Sequence, residues 1–215
     1  MDGHKQTLVQ EVKAMTDALS VGYHPGELIY QAGAFAAGIH LVESGLVMLG
    51  VYSSGEARPV GLSAPGDLLG VEAWRSNGTP QHSGFARALT KAEVLFAPTE
   101  SWSEALADES LRSLVLSQLA EAVLDWQSMA LRRNEPEYTL AWVLLRWGVE
   151  QDGMRALPVS LTLLADLLAI SRHTMRQVVS QLEERQVVVA QPGAIVGDPS
   201  RLLEFLEREL TASPG

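Results

Sequence analysis

The 215-residue chain contains no cysteine. That absence removes disulfides, thiolate zinc sites, iron–sulfur clusters and cysteine nucleophiles, and with them any thiol-based redox sensing. No apolar run reaches the roughly 18 residues of a membrane-spanning helix. The opening stretch MDGHKQTLVQEVKAM carries acids and lacks both an uninterrupted apolar core and a small-residue cleavage site, unlike a secretory signal. A soluble, cytoplasmic protein with no membrane partner is expected. Excess positive charge is missing too: 16 Lys and Arg stand against 26 Asp and Glu, a formal net charge of -10. Such a chain does not coat nucleic acid indiscriminately, because nonspecific affinity comes from phosphate neutralisation by Lys and Arg. A local DNA contact remains open. Internal repeats and low-complexity segments are also absent, while the 47% apolar content fills a real core and the 20% charged fraction argues against disorder.

Turn residues punctuate residues 21–97 every eight to twelve positions, as in HPGELIYQAG and SNGTPQHSG. Between them lie short segments rich in Val, Leu and aromatics: Leu46 to Tyr52, Ala57 to Leu62, Gly84 to Leu89 and Glu93 to Ala97. This spacing predicts a β-sandwich or barrel. Ahead of it, Leu8, Val12, Met15 and Leu19 recur at helical intervals. After Pro98 the texture becomes long helix, in which Val115, Leu119, Ala122, Trp126 and Met129 form a heptad-like stripe broad enough to dock on the β-domain on one side and a partner helix on another. A homodimer interface is preferred over a helix that merely covers its own domain. The helix breaks at Asn134-Glu135-Pro136, and Pro136 suits the first turn of a helix from Tyr138 to about Glu150. The expected organisation is a β-domain over 1–108, a dimerisation helix over 109–134 and a third part over 135–215.

That third part reads as helix, tight turn, helix and hairpin, the winged form of helix-turn-helix. LTLLADLLAIS leads to RHTMRQVVSQLEERQ, then VVVAQ and AIVG around Pro192-Gly193, then a tail helix from Arg201 to Leu210. Ser160 or Thr162 can cap the first helix and Ser171 the second, with Ala165 and Ala169 small where the two approach. With Ser171 as cap, Arg172, His173, Arg176 and Gln177 project from one side while Met175, Val178, Val179 and Leu182 face inward. Arg donates two hydrogen bonds to guanine and Gln pairs with adenine in the major groove, whereas Ser171, Thr174 and the helix N-terminus suit phosphates. An ordinary solvated helix face is the plainer reading, and the helix-turn-helix context disfavours it.

These segments together, PGDLLGVEAW, HSGFARALTKAEVLFAP and SLTLLADLLAISRHTMRQVVSQLEERQVV, resemble the bacterial CRP/FNR family of transcription regulators from about residue 21 to 200. The resemblance implies an α+β fold: an N-terminal cyclic-nucleotide-binding-like β-roll (a double-stranded β-helix), a long dimerisation helix and a C-terminal winged helix-turn-helix. It implies a homodimeric, non-enzymatic regulator, most often an activator, whose partners are an inverted-repeat double-stranded DNA operator and RNA polymerase. His173 stands where many relatives have a cytosine-reading glutamate, and Gln177 where the cyclic-AMP receptor protein has a second arginine, so a site other than the TGTGA half-site is expected. Arg176 replaces a small residue and adds a phosphate contact.

The resemblance also places an effector pocket at Gly70, Val71, Glu72, His82, Ser83, Leu124 and Asp125. Nucleotide-binding relatives carry Gly-Glu and, about ten residues on, Arg-Ser or Arg-Thr; here the equivalents are Gly70-Val71 and His82-Ser83-Gly84. His82, with a reference pKa of about 6.5, does not replace a permanent guanidinium. Arg75 is out of register. Leu124-Asp125 replaces an adenine-binding Thr-Ser, and Leu cannot hydrogen-bond a base. Cyclic AMP is therefore not expected as a cofactor. A different small molecule and no ligand at all remain alternatives, the second preferred. His24, His40, Glu43 and His82 also raise a cupin-like metal enzyme, but the His-x-His pair of that family is absent, so no metal site is assigned. The five tryptophans, mostly at apolar helical spacing, read as core.

Overall fold

A computed structural model describes residues 3–74, 79–132 and 134–212. The chain divides into two compact units, Met1–Asp125 and Trp126–Gly215. The first opens with helix α1 (Gly3–Lys13) and continues with strands β1 (Leu19–Tyr23), β2 (Leu28–Tyr30), β3 (Gly38–Ser44), β4 (Val47–Ser53), β5 (Glu56–Ser63) and β6 (Leu68–Leu69). A 3-10 turn (Val71–Trp74), β7 (Phe85–Ala88), β8 (Ala92–Pro98), α2 (Thr99–Ala105) and α3 (Glu109–Leu131) follow, the last residues of α3 falling in the second unit. Two antiparallel four-stranded sheets result, in the orders β1-β8-β3-β6 and β2-β7-β4-β5.

Strand alternation sorts the core into two layers. Ile39 and Leu41 of β3 and Leu95 and Ala97 of β8 pack outward against Leu8 and Val12 of α1, Trp102 of α2, and Leu111 and Val115 of α3. Val42, Val47, Leu69, Ala86, Ala88 and Ala92 instead fill the space between the sheets. A buried ion pair fastens α1. Lys5 donates to Asp67 at 2.6 Å, the Ala64 amide donates to the other Asp67 oxygen at 2.9 Å, and Gln118 of α3 donates to Asp67 at 3.3 Å. Removing one partner would strand a buried charge, the costly way to break such a cluster.

The second unit contains α4 (Pro136–Trp147), β9 (Val149–Gln151), β10 (Met154–Leu157), α5 (Leu161–Leu167), α6 (Arg172–Glu184), β11 (Val189–Gln191), β12 (Ala194–Gly197) and α7 (Pro199–Ala212). Pro136 occupies the first turn of α4, where its missing N–H is harmless. The strands form a sheet ordered β11-β12-β10-β9. Leu140, Leu144, Leu157, Leu164, Met175, Leu182, Ile195 and Leu202 are fully buried around it.

Several local expectations change. The first helix stops at Lys13, and Leu19 begins β1 with 60% of its surface exposed, because the backbone ladder to Phe96 of β8 prevails over the helical spacing. The region after Pro98 is two helices, with the Asp108 side chain accepting from the Leu111 amide at the start of the second. Helix α4 ends at Trp147, and Glu150 lies in β9. A hairpin turns there at Asp152-Gly153, both with positive φ (51° and 75°), the backbone that a two-residue turn between twisted strands requires. Ala165 is fully buried, but Ala169 is exposed and adopts φ 55° in the α5–α6 turn, so its smallness serves a left-handed backbone and not helix approach.

Candidate nucleic-acid interface and β-domain cavity

Ser160 caps α5 by accepting from the Leu163 amide, and Ser171 caps α6 by accepting from the Thr174 amide at 3.0 Å. Between them the chain reverses through Ala169, whose neighbour Ile170 donates back to the Ala165 carbonyl at 3.0 Å. This pins the start of α6. Met175, Val178, Val179 and Leu182 are buried, so the helix is locked in rotation about its own axis. Ser171, Arg172, His173, Arg176 and Gln177 are exposed and Thr174 is half-buried. The four long polar side chains share the opposite face, beside a helix end whose unpaired N–H groups attract anions.

Between the β-domain sheets, part of the expected effector pocket is assembled. The Glu72 carboxylate accepts from the Ser83 hydroxyl at 2.8 Å and from its amide at 3.2 Å, and lies 3.7 Å from His82 Nδ1. Burial raises the Glu72 pKa, but hydrogen bonds from its own backbone and from Ser83, with His82 nearby, bring it net below the usual value. Gly70 has φ 73°, and a Cβ there would stand 3.0 Å from the His82 ring and 3.3 Å from His40 Nδ1, so glycine lets both rings approach. Val71 is 38% exposed.

His82 stacks on Tyr30 at 3.8 Å between centroids, with His40 5.5 Å from Tyr30 and 6.3 Å from His82. Phe96 faces His40 across the β3–β8 ladder at 5.0 Å. Burial lowers the His40 pKa to about 4, with His82 adding to the effect. Burial also lowers that of His82, against the opposing pull of Glu72. Both imidazoles are neutral near pH 7. Burial, and secondarily the Glu72 charge, raises the Tyr30 pKa. These rings line a cavity of about 400 Å³ that also includes Leu28, Ile29, Gln31, Ala34, Phe35 and Ala37.

Leu124 and Asp125, on α3, are not among the residues lining this cavity. Arg75 lies outside the described residues. Tyr30, Phe35 and Phe96 are not among the residues expected at the pocket, and His40 is expected there only as a candidate metal ligand. Their convergence depends on strand register, for which the sequence carries no local signal. The four candidate metal ligands do not gather as one set: His40 and His82 line the cavity, whereas Glu43 pairs with Lys13 and Ser20. Among the described residues no group of three or more His, Asp or Glu is placed to hold a metal ion, and no helix is long and apolar enough to cross a membrane.

On α3, Val115 is buried against the β-domain and Leu119 packs beside it, while Ala122 and Met129 are half-buried and Trp126 is 48% exposed. The apolar side chains most exposed on this helix are Leu116, Val123, Leu124 and Leu131, spaced seven, one and seven residues apart.

Residues 20–109 match the cyclic nucleotide-binding domain family, and residues 140–205 the Crp-like helix-turn-helix domain family. The nitrogen fixation regulation protein FixK of Rhizobium meliloti is 28% identical over 169 residues, 77% of this chain and 76% of that protein. Among solved structures, FixK2 from Bradyrhizobium japonicum shares the fold with a TM-score of 0.70 at 23% identity, covering 87% of this chain and 96% of its own. The c-di-GMP responsive global regulator CLP of Xanthomonas campestris gives a TM-score of 0.66 at 17% identity over 90% of this chain and 99% of its own.

Proposed function

The chain belongs to the CRP/FNR family of DNA-binding transcription regulators, and from that premise we propose that it works as a homodimer on an inverted-repeat operator, without cyclic AMP. One observation carries the reading: α6 is capped, rotationally fixed, and exposes Arg172, His173, Arg176 and Gln177 together on one face. Arg172 and His173 on the first turn reach base edges, Gln177 reads the next position, and Arg176 holds the backbone. If the Thr174 hydroxyl donates to Ser171, the Ser171 hydrogen is free for a phosphate oxygen.

Two copies meet along α3. Leu116, Val123 and Leu124 are each more than half exposed, on one helical stripe that the β-domain leaves uncovered. Ala122, Trp126 and Met129 continue the neighbouring stripe of Val115 and Leu119, whose first two positions the β-domain covers. Two α6 helices then enter successive major grooves about one turn apart. We assign activation, the commoner mode in the family, with RNA polymerase as the partner.

Independence from cyclic AMP rests on Glu72. A cyclic phosphate at Ser83 would meet a carboxylate already bonded to both Ser83 donors, and neutral His82 supplies no compensating charge. The cavity beside them favours a second reading, gating by some other small molecule. Selection of sites from random duplex DNA with the purified protein, no ligand added, tests the principal reading. Enrichment of a two-fold symmetric sequence is expected; an asymmetric site, or none, contradicts it.

A further inference from the structure

We propose that Arg201 is a positioning residue for DNA recognition, bolting the C-terminal end of α6 to α7 and so fixing how the recognition helix and the hairpin after it stand together. The proposal rests on the reading of α6 as the helix that enters the major groove. Failure of the wild type to select any symmetric site would defeat that reading; variants that bind a selected operator as the wild type does would defeat this proposal alone.

Gln186 is an uncommon residue for its position. Val187 donates to the Leu182 carbonyl and Gln186 to the Glu183 carbonyl, both at 2.9 Å, the paired bonds of a helix end in which the residue past the cap turns left-handed. Gln186 takes that turn at φ 58°, where glycine is the usual occupant because a Cβ is strained there. Arg201 accounts for the glutamine. Its Nη1 donates to the Gln186 carbonyl at 3.1 Å and, more weakly, to the side-chain Oε1 at 3.4 Å. Glycine would offer the first acceptor and lack the second. The guanidinium also stands at the negative end of the helix dipole, beside carbonyls that have no partner within the helix.

Arg201 is preset for this contact. At Gly197, which ends β12, a Cβ would stand 2.9 Å from Leu144, 3.0 Å from Leu202 and 3.1 Å from the Val187 carbonyl oxygen, so glycine brings the start of α7 against the chain leaving α6. The Asp198 side chain then accepts from the Ser200 and Arg201 amides at 2.9 and 3.0 Å, capping α7. Neighbouring arginines are engaged elsewhere: Arg185 pairs with Glu209 at 3.1 Å and Arg208 with Glu204, exposed pairs that contribute little in water. Gln186 leads directly into the β11–β12 hairpin, whose Ala190 amide donates to the Glu183 carboxylate at 2.8 Å. Helix α6 therefore has its far end tied to α7 and to the hairpin, while Ser171 fixes the near end. Base-edge hydrogen bonds are directional and weaken with small displacements, whereas phosphate attraction does not read sequence. Loosening the far end costs base reading first.

The test is binding of the full-length protein to its selected operator and to random duplex DNA, across a salt series, at a temperature where urea titration shows each variant folded. Arg201→Met keeps the aliphatic stem of an exposed side chain and removes the donors. It should bind the operator about fivefold more weakly and random DNA within about twofold of the wild type, with an unchanged salt slope. Gln186→Gly should also weaken the operator complex without lowering the urea midpoint, because glycine relieves the left-handed strain but gives up Oε1 and the fixed φ. The double variant should lose no more than the larger single loss, since both changes break one contact. A purely structural role would make affinity follow the urea midpoint, and a phosphate contact by Arg201 would weaken both DNAs alike and reduce the salt slope by about one. Either of those results, wild-type operator affinity in Arg201→Met, or losses that multiply in the double variant would overturn the proposal.

Discussion

Ser171 and Thr174 hold one another at the start of α6: the Thr174 amide donates to the Ser171 hydroxyl at 3.0 Å, and the two hydroxyl oxygens lie 2.8 Å apart. One serine thereby ends the turn, satisfies an orphan N–H and sets the angle at which Arg172 and His173 leave the domain. Ser171→Ala should destabilise the protein by about 1 kcal/mol in urea unfolding. It should also weaken binding to specific and random DNA alike, since the contact proposed for Ser171 is to a phosphate and not to a base. Unchanged stability would show that the cap is not formed in solution.

The α5–α6 turn supplies a test with the opposite sign. Ala169 is held at φ 55°, a conformation that costs an L-residue roughly 1–2 kcal/mol. Ala169→Gly relieves that strain, while glycine's greater freedom in the unfolded chain offsets part of the gain. A net stabilisation of about 0.5–1 kcal/mol is expected by chemical denaturation, with DNA affinity unchanged. A loss of stability would contradict the turn geometry.

The buried histidines make stability depend on pH. His40 is held neutral, its folded pKa of about 4 lying below the unfolded reference near 6.5. A folded state that resists protonation is at full advantage above the unfolded pKa and loses it as pH falls through the window from about 6.5 to about 4. His82 is lowered in the same direction. Unfolding free energy should therefore fall by about 2 kcal/mol between roughly pH 7 and pH 5 on account of His40 alone. The drop should shrink in His40→Leu, and equal drops in the two proteins would refute the assignment.

Oligomeric state checks the α3 surface. Leu124 is 60% exposed beside Val123, so an acid there is harmless to a lone chain but unfavourable in an apolar seam. Leu124→Asp should shift sedimentation from dimer to monomer and reduce operator affinity at least about tenfold. A variant that remains dimeric would move the interface elsewhere.

Particular residues show how far the sequence carried the account. Turn chemistry and capping were local and legible: Pro136 begins α4, Ser171 begins α6, and Pro192-Gly193 separates the wing strands. Asp152-Gly153 was an equally good hairpin signal, but the apolar run of α4 ahead of it masked the break at Gly148. The inward and outward faces of α6 followed directly from a 3.6-residue period. Helix α3 was harder, since apolar residues surround much of it and periodicity alone did not say which stripe the β-domain takes. Val115 went to the core, and Leu116, one residue on, stayed exposed. The Tyr30–His82 stack and the His40–Phe96 pair lay beyond local reading, because both depend on strand register between segments more than fifty residues apart.

The most direct test of the central claim compares Arg172→Ala with Arg176→Ala on the selected operator and on random duplex DNA, at one stated salt concentration. Arg172→Ala should lose roughly 1–3 kcal/mol of discrimination between the two DNAs, whereas Arg176→Ala should weaken both nearly equally. Equal losses on specific and random DNA for Arg172→Ala would contradict base reading by α6.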